Sequence, residues 1–360
     1  MTAPLPQDRL VFVIGAPRSG STLLTRMLGA HSRLVARPEP HLLTPLAHLG
    51  LYDRVDRAPY DAVQASQALR SFVADLPGGE AEYLEALRAF VATLYAGHLG
   101  AQPDALFVDK TPAYALILPF LEKLFPAAKY VVLTRNPLAI WDSYAASFFA
   151  GDYASAQAFN PILERYVPAI ADFLRRRAVP LLHVRYEDLV QEPEARVAEL
   201  HAFLGIEHQG DTVEYGDHPL QGTGLGDPLG VQKNKRPVTG SLDKWKEGAA
   251  EGDNAAFLRA RLAALDPDDL HTLGYDADAL RADLDGVGRG RRTPPGWSRY
   301  LLERKVLLSL RRDIDRRPHG RLLLRLRDLC DVLLRGGATG GWAAFEDERY
   351  GRVDAHPPDL

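Results

Sequence analysis

Residues 10–22 constrain the fold more than any other stretch of the chain. Leu10-Val11-Phe12-Val13-Ile14 is a short unbroken apolar run, rich in β-branched and aromatic residues. That is the pattern of a strand buried on both faces. It stops at Gly15. Gly15-Ala16-Pro17-Arg18-Ser19-Gly20 is a glycine-bounded loop, and from Ser21 onward Leu23, Leu24, Met27 and Leu28 recur at helical spacing. Strand, glycine loop and helix form a βα unit. The loop amides and the positive end of the helix dipole then converge on one place, where an anion is stabilised. Such a strand has no polar face for water, so it needs parallel neighbours on each side and helices above and below.

The rest of the chain supplies them. Ala105 to Val108, Lys129 to Thr134 and Pro180 to Val184 are further apolar runs of strand length. Helical patterns separate them, at Tyr114 to Phe125, Pro137 to Phe149, Ile162 to Arg177 and Pro193 to Leu204. Residues 42–104 are also mostly helical in pattern, with Leu84, Leu87, Phe90, Val91 and Leu94 spaced along Tyr83 to Leu99. The alternation predicts an α/β fold, a P-loop-like parallel sheet flanked by helices. Composition agrees with a globular protein: 46% apolar and 25% charged residues. No apolar run reaches the ~18 residues of a membrane span, and the first ten residues lack a basic-then-apolar leader. A single cysteine, Cys330, excludes an internal disulfide or a cysteine-built metal site. A cytoplasmic location is the expectation.

Charge divides the chain. The net charge is −4, yet Val287 to Arg335 holds fourteen Arg and Lys against five Asp and Glu, a local balance of +9. The predicted organisation is an α/β domain over 1–275, a linker over 276–295, a cationic helical extension over 296–335 and a flexible tail over 336–360. The extension reads as two amphipathic helices, Trp297 to Arg312 and Gly320 to Leu334, broken at Pro318. Its basic residues alternate with leucines rather than aromatics, which argues against nucleic acid. A packed hairpin, self-association, or peripheral contact with an anionic membrane all fit it.

The glycine loop nearly matches the P-loop pattern G-x-x-x-x-G-K-S/T, but Ser21 stands where the lysine belongs. The loop can still grip an anion, and Arg18 adds a planar, permanently charged fork suited to phosphate or sulfonate. Loss of the lysine argues against γ-phosphoryl transfer.

Ala16 to Leu23 resembles the 5′-phosphosulfate loop of sulfotransferases that use 3′-phosphoadenosine 5′-phosphosulfate (PAPS). Lys129 to Pro137, with Ser143 eight residues beyond Arg135, resembles the 3′-phosphate site of that family. Tyr186-Glu187-Asp188-Leu189 resembles its Y-E-D-L segment, and Pro237-Val238 with Leu242-Asp243-Lys244-Trp245 its cofactor-closing segment. The pattern is most similar to the bacterial branch related to tyrosylprotein sulfotransferases. The resemblance implies that Arg18, Ser19, Gly20, Ser21 and Thr22 hold the 5′-phosphate, and that Arg135 and Ser143 hold the 3′-phosphate. It gives Tyr186 a nucleotide contact and lets Lys244 close over the phosphates, aided by Lys233, Lys235 and Arg236. Lys110, in Asp109-Lys110-Thr111-Pro112, resembles the catalytic lysine. One departure stands out: that branch has a cofactor-closing serine upstream of the lysine, and Gly226 to Arg236 contains none.

Sulfuryl transfer has a loose transition state, like phosphoryl transfer. Enough Arg and Lys can stabilise its charge without a metal, so no metal is expected. The acceptor is a hydroxyl on a small molecule, lipid, sugar or peptide, and its proton needs a base. In Arg37-Pro38-Glu39-Pro40-His41 two prolines hold the chain extended, which projects Glu39 and His41 to one side. Either could take the proton; Asp109 and His31 are further candidates. The family base lies twenty-one residues after the loop arginine, the separation of Glu39 from Arg18. The rivals are a P-loop kinase-like phosphotransferase and a nucleotide-binding protein without turnover.

Overall fold

The computed structural model describes residues 5–39, 42–48, 62–99, 102, 104–218, 234–288, 322 and 326. Five strands form one sheet: β1 (Leu10–Ile14), β2 (Leu34–Pro38), β3 (Leu106–Lys110), β4 (Lys129–Thr134) and β5 (Leu181–Arg185). Their order is β2-β3-β1-β4-β5 and every pairing is parallel. The fold is thus the α/β architecture expected from the sequence.

Fourteen α-helices connect and cover the strands among the described residues. They are α1 (Ser21–Gly29), α2 (Leu43–Ala47), α3 (Ala62–Ala74), α4 (Gly79–Leu99), α5 (Leu118–Leu124), α6 (Pro137–Phe149) and α7 (Tyr153–Phe159). Next come α8 (Ile162–Arg176), α9 (Tyr186–Gln191), α10 (Pro193–Leu204), α11 (Trp245–Ala250), α12 (Asn254–Ala263), α13 (Pro267–Thr272) and α14 (Ala277–Asp285). Alternation along β1 sorts the two faces. Val11 and Val13 pack with Leu24, Met27 and Leu28 of α1 and Leu200 of α10. Phe12 points the other way, into an aromatic cluster whose ring centroids lie 5.5 Å (Phe125) and 5.3 Å (Tyr130) from its own. All five residues of β1 are buried, as a central strand requires.

The structure differs from the sequence reading in four places. β2 was not read as a strand. It is an edge strand, where Pro38 tolerates its missing N–H, and five residues ending in Arg37-Pro38 carry little apolar signal. β3 runs two residues further than its apolar run, because Asp109 and Lys110 are both buried and both have partners. The Tyr114 to Phe125 pattern splits into a 3₁₀ turn at Pro112–Leu116 and α5, with Pro119 in the first turn of the helix. Finally, the 276–295 linker begins as a helix. Asp276 caps α14 by accepting from the Ala279 N–H at 2.7 Å, and Leu280 and Leu284, one turn apart, are buried.

The chain divides into two compact units, Met1–Pro295 and Gly296–Leu360. The 296–335 and 336–360 segments lie outside the described residues apart from Leu322 and Leu326, both exposed. Gln221 to Gly230 also lies outside them.

Candidate active site

Five of the positions singled out in the sequence collect at one end of the strands. The glycine loop follows β1, Glu39 follows β2, Lys110 ends β3, Arg135 follows β4 and Tyr186 follows β5. All the strands are parallel, so these five positions are the carboxyl ends, where open α/β sheets bind ligands. Register brings them level: Lys110 pairs with Val13 of β1 and with Pro38 of β2.

The loop is tightly shaped. Arg18 and Gly20 have φ of 69° and 94°, in the left-handed region that costs a side chain. At Gly20 there is a second constraint, since a Cβ there would lie 2.3 Å from Cδ2 of Tyr186. The Tyr186 ring therefore lies directly against the loop backbone. Ser19 is fully buried, and its Oγ has no hydrogen-bond partner among the described residues. A buried hydroxyl left unpaired costs free energy, and an anion held by this loop would supply Ser19 with an acceptor. Ser21 is buried in the first turn of α1 and Thr22 follows it.

Around this loop lies a cluster of bonds. Arg18 Nε donates to Ser143 Oγ at 3.1 Å. Arg135 donates to the Arg18 carbonyl at 3.0 Å and to the Ser241 carbonyl at 3.1 Å, and its guanidinium stacks 4.3 Å from the Tyr186 ring centroid. Tyr186 and Ser241 share a hydroxyl–hydroxyl bond of 2.7 Å. Burial lowers the Arg135 pKa, the nearby Tyr186 and Glu187 raise it, and the Arg18 charge lowers it again. The Arg18 charge acting on a largely buried Arg135 is a repulsion that a nearby anion would relieve. Glu187 fixes the turn after β4, accepting from the Asn136 N–H at 2.9 Å and the Tyr275 hydroxyl at 2.8 Å.

On the other side of β1, Lys110 and Glu39 form an ion pair. The lysine is 3% exposed and the carboxylate 18%, so both partners are largely shielded from water, the lysine more than the carboxylate. Behind it Asp109 is wholly buried. It accepts from the hydroxyls of Tyr95, Tyr114 (3.0 Å) and Thr111 (3.1 Å). Burial pushes its carboxyl up to about 6 despite those bonds. Asp109, considered above as a base, is enclosed by its own donors.

Other predicted residues stand apart. Lys244 is exposed at the start of α11, where its charge and that of Arg135 act on Asp142. His41 and Lys233 lie outside the described residues. Lys235 pairs with Asp217 at 2.8 Å, and Arg236 with Glu194 at 2.8 Å and Glu214 at 3.0 Å. His31 is committed elsewhere: it bonds the Glu207 carbonyl at 2.8 Å and packs edge-on against His201. Sequence reasoning missed Ser241, Asp142 and Tyr275. Ser241 carried a signal, because it lies three residues before Lys244 in the matched segment.

A model of the Sulfotransferase family matches residues 11–210. The chain belongs to the sulfotransferase family. Nodulation protein NoeE of Sinorhizobium fredii is 30% identical over 327 residues, covering 83% of this chain and 73% of that protein. Protein-tyrosine sulfotransferase 2 of Gallus gallus is 27% identical over 285 residues, covering 74% and 69%. Among solved structures, the sulfotransferase domain of the Synechococcus PCC 7002 olefin synthase superposes with a TM-score of 0.51 at 26% identity. That match covers 77% of this chain and 97% of that domain. The sulfotransferase chain described here carries the family match across the whole sheet, from β1 to β5. Among its described residues no helix is long and apolar enough to cross a membrane.

Proposed function

We propose that this sulfotransferase moves the sulfuryl group of PAPS to a hydroxyl, with Glu39 as the base. The observation that carries the reading is the Lys110–Glu39 pair, placed beside the glycine loop by the β1–β3 and β2–β3 registers. A carboxylate that keeps some solvent access beside the anion loop can accept the hydroxyl proton. The acceptor oxygen then bonds to sulfur as the bond from sulfur to the bridging oxygen breaks. The bridging oxygen leaves with 3′-phosphoadenosine 5′-phosphate (PAP), and the proton stays on Glu39. Lys110 neutralises the charge that develops on the leaving oxygen, the interaction worth most in a dry site.

The anion grip falls to the other half. The loop from Arg18 to Thr22 takes the 5′-phosphate, supported by the orphan hydroxyl of Ser19. Arg135 and Ser143, linked through Arg18, take the 3′-phosphate, and binding exchanges their internal partners for phosphate oxygens. Tyr186 presents its ring beside both. Lys244, exposed at the head of α11, adds charge at the rim. The acceptor hydroxyl belongs to a small molecule, lipid, sugar or peptide.

The test is calorimetric titration with PAP, run beside ATP and GTP without metal. The expected result is PAP binding that Arg135→Ala weakens by about a hundredfold, the scale of a lost charge-assisted pair in a buried site. Preference for ATP, with or without Mg²⁺, would replace the reading with a phosphotransferase.

A further inference from the structure

The structure holds a second device on the acceptor side that the proposed chemistry does not use. Leu43 opens α2 four residues after Glu39 and is fully buried. The first N–H groups of a helix lack partners within it, and α2 has no side-chain cap. The Leu43 N–H is satisfied by the hydroxyl of Tyr114 at 3.0 Å. That hydroxyl donates in turn to Asp109 at 3.0 Å. The Leu43 end sets the direction of the chain. An amide N–H can only donate, so the Tyr114 oxygen accepts there and gives its own hydrogen to Asp109.

This bridge links β3, which ends in Lys110, to the helix that follows Glu39 in the chain. Asp109 directly precedes Lys110, and Leu43 follows Glu39 on the next stretch of chain. We infer that Tyr114, anchored by Asp109, is a positioning residue that holds the Glu39 segment against Lys110. The inference rests on the proposed role of Glu39. It explains why a carboxylate is buried one residue from the lysine, at the cost of desolvation.

Tyr95 supplies the control. Its hydroxyl bonds the same Asp109 oxygen from α4, and both tyrosines are buried. Tyr95→Phe and Tyr114→Phe each remove one donor to Asp109, but only Tyr114→Phe strands the Leu43 N–H. The full chain is compared in both variants by amide hydrogen exchange of the peptide over 42–48, by PAP titration and by turnover of PAPS with p-nitrophenol as the acceptor probe. In Tyr114→Phe, exchange in 42–48 should rise and turnover should fall, each by about tenfold, the scale of one buried hydrogen bond. PAP affinity should stay within about twofold. Tyr95→Phe should leave exchange and turnover within about twofold of the parent. Equal exchange in the two variants would overturn the inference, as would a Tyr114→Phe loss shared equally by PAP affinity. If Glu39→Gln keeps full turnover, the base assignment fails separately. The exchange contrast still decides whether the bridge holds the segment.

Discussion

The two halves of the strand-end cluster are built differently. On the β1, β4 and β5 side, the side chains bond to one another and to nearby turns. Arg135 reaches the Arg18 and Ser241 carbonyls, Arg18 reaches Ser143, and Tyr186 reaches Ser241. On the β2 and β3 side, a largely buried ion pair stands in front of a buried carboxylate with three hydroxyl donors. The first half is a cage of positive charge that suits a fixed polyanion. The second is an ion pair mounted on a buried hydrogen-bond network. With the roles proposed above, binding and chemistry are separable, and variants should divide along the same line.

The largest expected effect is in the second half. Glu39→Gln keeps the shape and a hydrogen bond but cannot hold a proton as a carboxylate does. Turnover should fall by about 10² to 10⁴, the range for losing a general base, with PAP affinity unchanged. Parallel losses in turnover and PAP affinity would show that the halves are not independent. Next in size is Gly20→Ala. The new methyl would sit 2.3 Å from the Tyr186 ring at a backbone φ of 94°. Strain at such a position costs about 1–3 kcal/mol, and the ring must move as well. PAP binding should weaken at least tenfold and the melting temperature should drop. A melting temperature unchanged together with full PAP affinity would mean that Tyr186 does not pack on the loop.

The same division explains what could be read from the sequence. The anion-binding half was legible because its chemistry is local. A strand, a glycine loop and a helix start are contiguous from Leu10 to Leu28, and Arg135 and Tyr186 each sit at a strand end. The acceptor half depends on contacts across long stretches of chain. Glu39 was found through its distance from Arg18 and its prolines, but β2 itself was hidden by its brevity and edge position. Tyr114 read as one more residue of a helical pattern. Its bonds to Asp109 and Leu43 connect a 3₁₀ turn, a strand and a distant helix start. Ser241 was missed for a simpler reason. Gly226 to Arg236 contains no serine, and the serine that meets Tyr186 lies five residues further on.

The smallest prediction concerns Asp142, which lies in α6 next to Ser143, in the anion-binding half. Burial pushes its carboxyl up from 3.8 to about 6, while the Tyr153 hydroxyl (2.9 Å) and the charges of Lys244 and Arg135 pull it down. A Cβ on Gly248 would lie 1.9 Å from its Oδ1, so α11 closes directly over the carboxyl. The sign follows from linkage. A group whose pKa is higher folded than unfolded adds stability that is complete below its unfolded pKa, here 3.8, and lost as pH rises through its folded value near 6. Above pH 6 the fold therefore carries a buried charge at a cost of order 2 kcal/mol. Asp142→Asn removes that dependence. Denaturant unfolding at pH 4, 5, 6 and 7 should show the variant gaining on the parent as pH rises, by about 2 kcal/mol across the window. Removing the Lys244 charge as Lys244→Ala should move the parent's own transition to higher pH, because one of the cations holding the carboxylate ionised is gone. Parallel curves for parent and Asp142→Asn would mean that solvent reaches this carboxyl. The cage around Arg135 would then be open on the α11 side, and its positive charge would be worth less to a bound anion than the closed geometry implies.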